Sequence, residues 1–119
     1  MTDPGSRVVA VVRDLFFVAR IRETARLAGV PLEFARTPED LATALATPPR
    51  FVLLDLTGGF DYARVFDTVE AAGHPPVLGF TTHALARQSQ PWHARCGRVV
   101  TKETLTQELP TLLRDGVAV

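Results

Sequence analysis

Four residues of this sequence that could act together on a phosphoryl group stand at the ends of short apolar segments. Asp14, Asp55, Thr81 and Lys102 each end or follow such a segment. Two carboxylates can hold a divalent cation between them. A hydroxyl and an ammonium could then contact the oxygens of a phosphoryl group carried by one carboxylate. Because hard oxygen donors favour Mg²⁺ over zinc, we expect a site of this kind if the four segments meet.

The apolar segments are predicted to be five β-strands. They span Arg7–Val12, Leu32–Ala35, Phe51–Leu56, Val77–Thr81 and Arg98–Thr101. The first is apolar on both faces, which is typical of a central strand in a parallel sheet.

Segments with helical periodicity separate these strands. In the first, Phe17, Ile21, Ala25 and Ala28 recur three or four residues apart, and Gly29 could end the helix. Further helices are predicted from Pro38, over Tyr62–Ala72, within His83–Arg95 and over Glu103–Arg114. The last two contain prolines, which can only begin or kink a helix. Five strands alternating with five helices predict a three-layer αβα sandwich, which binds ligands at the carboxyl ends of its strands.

Composition narrows the classes of function. The chain has 119 residues, 46% of them apolar, and no net charge. We therefore expect a single domain over residues 1–119, with no nucleic-acid or membrane partner. The single cysteine, Cys96, suits a reducing cytoplasm. Lys102 is the only lysine among 13 basic residues, and a compact ammonium suits a phosphate as a point charge.

In their order along the chain, the segments VVRDL, FVLLDL, PVLGFTT and RVVTK resemble the receiver domains of bacterial response regulators, including the chemotaxis type. The resemblance implies a flavodoxin-like, five-stranded parallel sheet in the order 2-1-3-4-5. It implies Asp55 as the phosphoacceptor and Thr81 and Lys102 as phosphoryl contacts. It also implies Asp14, Asp55 and Thr57 as ligands of Mg²⁺, and a histidine kinase or other signalling protein as partner.

Several residues depart from the receiver pattern. Arg13 stands where the family has the first of two acidic residues, and Val99 stands where an aromatic residue is common. Thr57 and two glycines follow Asp55 in place of the usual proline and glycine. Arg13 could face solvent, or it could pair with Asp55 and substitute for the metal ion. The second arrangement would make the protein a pseudo-receiver.

Three hypotheses follow. The first is a stand-alone phosphoacceptor domain that is not an enzyme, and the second is a phosphorylation-independent adaptor. The third is a small flavodoxin-like enzyme or nucleotide binder, for which the sequence has no Gly-rich fingerprint. We also expect a homodimer through residues Ala84–Thr104, although Trp92 in that region is more often a packed anchor. The three histidines, His74, His83 and His93, are expected at the surface.

Overall fold

A computed structural model describes residues 7–115. The predicted domain limits at residues 1 and 119 lie outside this range. The strands are β1 (Val8–Val11), β2 (Leu32–Phe34), β3 (Phe51–Asp55), β4 (Val77–Thr81) and β5 (Arg98–Thr101). The helices are α1 (Leu15–Ala28), α2 (Pro38–Ala44), α3 (Tyr62–Ala71), α4 (Ala86–His93) and α5 (Lys102–Asp115). All strand pairs are parallel and the order is β2-β1-β3-β4-β5, which confirms the predicted topology.

The two faces of the sheet pack into separate cores. In β1, Val8 and Ala10 belong to the core shared with α1 and α5, whereas Val9 and Val11 belong to the core shared with α2 and α3. Successive side chains of a strand point to opposite faces. A central strand between two helical layers must therefore be apolar throughout, and β1 and β3 are buried at every position.

Helix ends follow local signals in the sequence. Thr37 caps α2 by accepting a hydrogen bond from the Asp40 amide, as expected for a hydroxyl at this position. Gly29 ends α1 with φ of 70°, a left-handed conformation that glycine adopts without strain. In α5, Glu108 leaves helical geometry two residues before Pro110. A proline inside a helix has no N–H to donate, and its ring clashes with the carbonyl of the preceding turn, so the helix is kinked there.

Strand register brings the predicted site residues to one edge of the sheet. Asp55 lies opposite Phe80 in the β3–β4 pair, and Thr81 lies opposite Thr101 in the β4–β5 pair. The carboxyl ends of β1, β3, β4 and β5 therefore form a common rim. Within residues 7–115, no helix is long and apolar enough to cross a membrane.

Candidate functional site

Asp14 and Lys102 pair with each other at the rim. The Oδ1 atom of Asp14 caps α1 by accepting from the amides of Phe16 (3.0 Å) and Phe17 (3.2 Å). The Lys102 Nζ donates to Asp14 Oδ2 at 3.3 Å and lies 5.0 Å from the centre of the Phe17 ring. The pKa of Asp14 is lowered, chiefly by the hydrogen bond from the Phe17 amide and secondly by the bond from Lys102, because both stabilise the charged carboxylate.

Asp55 is bound chiefly by its own loop. Its side chain is buried, and Oδ1 accepts from the Thr57 amide (2.8 Å) and the Thr57 hydroxyl (2.7 Å). The Tyr62 hydroxyl donates to the Asp55 carbonyl (2.7 Å) and accepts from the Gly58 amide (3.0 Å). Burial raises the pKa of this tyrosine, which therefore stays protonated and able to donate. These bonds hold the β3–α3 loop (residues 56–61) closely against the end of β3.

Thr81 is bound on the side of α4. Its Oγ1 lies 2.9 Å from the Ser89 Oγ, and Ser89 Oγ lies 2.8 Å from Nε2 of His93. Thr81 and Ser89 are 4% and 2% exposed. The expectation that His93 is a surface histidine is wrong, since the side chain is half-buried and bonded to Ser89. His74 and His83 are exposed as expected.

Arg13 does not pair with Asp55, and it does not simply face solvent. Its Nη1 donates to the carbonyls of Gly58 (3.1 Å) and Gly59 (3.0 Å). The guanidinium carbon lies 4.3 Å from the centre of the Phe60 ring. The side chain is exposed, as one of the two alternatives from the sequence had it, and it also joins the end of β1 to the β3–α3 loop. A fixed positive charge consequently lies beside that loop.

In this arrangement the carboxylates at the rim accept hydrogen bonds from other groups of the domain. Both oxygens of Asp14 and one oxygen of Asp55 accept hydrogen bonds. The hydroxyl of Thr57 is directed to Asp55. Among residues 7–115, no group of three or more His, Cys, Asp or Glu side chains could hold a metal ion. With Arg13 nearby, the rim combines two carboxylates, of which Asp14 is bonded through both oxygens and Asp55 through Oδ1, with two cations.

Three of the residues that shape the site were not singled out from the sequence. Tyr62 bonds to the β3–α3 loop, and Ser89 bonds to Thr81. Phe60 packs under the guanidinium of Arg13. The spacing of four between Ser89 and His93 was a usable signal, because residues four apart are neighbours on a helix. No local pattern connects Arg13 to Phe60.

Trp92 packs inside its own subunit, so its role as a packed anchor is the one observed. Its ring stacks on Phe66 (5.8 Å, 16°) and lies 5.8 Å from the Tyr62 ring. Homodimerisation through Ala84–Thr104 stays a prediction. The exposed large apolar side chains within residues 7–115 lie instead on α1, where Leu15 and Leu27 are 72% and Phe16 is 92% exposed.

Comparison with known proteins rests on structure alone, since no protein-family model and no curated protein matches the sequence. The receiver domain of the sensor histidine kinase PA1611 from Pseudomonas aeruginosa is 16% identical. It has a TM-score of 0.76, and the alignment covers 97% of this chain and 99% of that one. That domain was solved with magnesium in its active-site cleft.

Two further solved structures show the range of proteins with this architecture. The chemotaxis response regulator CheY4 of Vibrio cholerae is 22% identical, with a TM-score of 0.65 and 90% and 98% of the two chains covered. An adenylate cyclase from Rhodopirellula baltica is 10% identical, with a TM-score of 0.75 and 95% and 87% covered. At such identities the similarity shows the fold and does not transfer an activity. By fold, the chain is a receiver-like domain.

Proposed function

We propose that this chain is a signalling domain that works by binding another protein and does not require phosphorylation of Asp55. One observation carries the proposal: the four rim groups are bonded in three separate sets. Lys102 binds Asp14, Asp55 binds Thr57, and Thr81 binds Ser89. The groups that would have to surround a phosphoryl group are therefore directed at other partners.

Charge supports the same conclusion. A phosphoryl group brings about two negative charges at neutral pH, which a divalent cation and a lysine would have to balance. Lys102 is already paired with Asp14, and the acidic residue expected before Asp14 is Arg13. Arg13 could offer charge, but its Nη1 is directed to the loop carbonyls. The rim therefore has a stable arrangement without either metal or phosphoryl group.

The proposal places the protein in the cytoplasm, where its one cysteine would stay reduced. The partner would be a signalling protein that recognises the folded domain.

The test is intact mass spectrometry after incubation with a small acyl-phosphate donor and Mg²⁺. We expect the wild-type mass to stay unchanged under conditions that label an ordinary receiver domain. The variant Arg13→Asp, which restores a second acidic residue, should gain Mg²⁺ binding in a calorimetric titration. Arg20→Asp makes the same charge change at an exposed position of α1 and serves as the control, for which we expect no gain.

The second candidate is an aspartyl phosphoacceptor, and one observation favours it. Within residues 7–115, the hydrogen bonds to the Asp55 carboxylate all reach Oδ1, so Oδ2 could take a phosphoryl group. One added phosphoryl group on the wild-type protein, lost in Asp55→Asn, would establish this function and refute the proposal above. A histidine kinase would then be the expected partner.

A further inference from the structure

Helix α4 is attached to the domain by few side chains. Ser89 is its one buried residue, Pro91 lies inside it, and no side chain caps its N-terminus. Segments with few buried contacts open more easily than the rest of a fold. The position of α4 therefore depends strongly on the contacts of Ser89, together with the packing of Trp92 on Phe66 and Tyr62.

The hydrogen bonds of Ser89 determine the direction of the Thr81 hydroxyl. The Ser89 Oγ lies 2.9 Å from Thr81 Oγ1, 2.8 Å from His93 Nε2 and 3.1 Å from the Ala86 carbonyl. A hydroxyl has one proton to donate and two lone pairs. The other acceptor near Thr81 is the Thr82 carbonyl, which lies 3.5 Å away and at that distance is a poor partner.

All groups are best satisfied when Thr81 donates to Ser89. Ser89 can then donate to His93 if Nε2 carries no proton, or to the Ala86 carbonyl if Nε2 carries one. In both cases the Ser89 oxygen remains the acceptor for Thr81. The Thr81 oxygen is bonded to Ser89 whichever of the two hydroxyls donates, so it is held towards α4.

We propose that Ser89 and His93 are positioning residues that hold the Thr81 hydroxyl towards α4. A partner that displaces α4 would break these bonds and leave a nearly buried hydroxyl in need of another acceptor. Rotation about χ1 of Thr81 to another staggered position would redirect the hydroxyl. The signalling meaning of this step rests on the proposed function, whereas the positioning itself does not.

The experiment measures the χ1 rotamer of Thr81 by NMR, from the three-bond couplings between its methyl carbon and the backbone nitrogen and carbonyl. In the wild-type protein we expect the couplings of a single rotamer. In Ser89→Ala we expect couplings averaged over several rotamers, together with an unfolding equilibrium constant about fivefold larger, as for the loss of one hydrogen bond. His93→Phe should shift the couplings in the same direction by less. His83→Phe alters an exposed histidine of the same segment and should leave them unchanged.

Wild-type couplings in Ser89→Ala would overturn the proposal, as would an equal shift in His83→Phe. If Ser89→Ala does not fold, the couplings in His93→Phe decide between the same two outcomes. Failure of the proposed function can be told apart from failure of the positioning role, because the proposed function is tested by donor labelling of Asp55 and not by the Thr81 couplings. If the wild-type protein is labelled by the donor, phosphorylation independence is refuted. If the Thr81 couplings are averaged in Ser89→Ala in the same study, the positioning role is still supported.

Discussion

Arg13 joins β1 to the β3–α3 loop, and replacing it with alanine should destabilise the protein measurably. The side chain makes two hydrogen bonds to carbonyls, at 3.1 and 3.0 Å, and packs its guanidinium on Phe60 at 4.3 Å. Bonds from charged donors contribute about 1.5–3 kcal/mol each when buried. Because Arg13 is exposed, solvent reduces this to about 0.5 kcal/mol each, by analogy with exposed ion pairs. The contact with the ring adds about 0.5–1 kcal/mol.

The expected loss for Arg13→Ala is therefore about 1.5–2 kcal/mol in the free energy of unfolding. With an m-value of about 1.5–2 kcal/mol/M in urea, within the usual range for small proteins, the midpoint should fall by about 1 M. Hydrogen exchange of the Gly58 amide should also accelerate, because the β3–α3 loop loses its tie to β1. Arg13→Lys keeps the charge and loses the planar fork, so an intermediate loss is expected.

Arg20→Ala is the matched control, since surface substitutions usually change stability by less than about 0.5 kcal/mol. If Arg13→Ala and Arg20→Ala have the same urea midpoint as the wild type, the contacts of Arg13 with the loop contribute nothing. The interpretation of Arg13 as a structural tie would then be refuted.

Four further predictions address other parts of the chain. The pKa of Asp14 is lowered in the folded protein, so its charge stabilises the fold above the ordinary carboxyl pKa, and this contribution is lost as the pH falls through the lowered value. The difference in unfolding free energy between wild type and Asp14→Asn should accordingly be constant above about pH 5 and shrink below about pH 4, and a difference that grows on acidification would contradict this. A Cβ at Gly58 would stand 2.6 Å from Cε2 of Phe60, so Gly58→Ala should cost about 1–3 kcal/mol in urea unfolding; unchanged stability would mean that the ring moves freely. Burial raises the pKa of Cys96 to about 11, so iodoacetamide at pH 8 should modify it far more slowly in the folded protein than in urea, and equal rates would show the thiol to be accessible. Trp92→Ala should lower the unfolding free energy by about 2–4 kcal/mol because the ring packs internally, and light scattering that shows a monomer at high concentration for both proteins would count against a homodimer through residues 84–104.

The amino-acid sequence by itself determined the layered architecture. Alternate residues of the central strands face two different helical layers, so unbroken apolar segments separated by amphipathic helices specify a parallel sheet with both faces covered. Local signals also placed helix ends correctly: α2 begins at Pro38, and Gly29 ends α1. Such signals involve only residues that are close together in the sequence, so helix ends can be predicted from them without knowledge of the tertiary structure. Asp14, directly before α1, acts in the same local way when it caps that helix.

Only the tertiary structure decided which partners the rim residues have. Arg13 and Gly58 are 45 residues apart in the chain, and Asp14 and Lys102 are 88 apart. Their types allow several pairings, and the choice depends on side-chain directions and distances that packing across different strands imposes. Thr81 illustrates the point: its place at the end of β4 was predicted, but Ser89, delivered by α4, determines where its hydroxyl points. A sequence pattern identifies which groups reach an edge of the sheet, whereas packing determines the hydrogen-bond partner of each, because such a bond requires heavy atoms to lie within about 3 Å of each other.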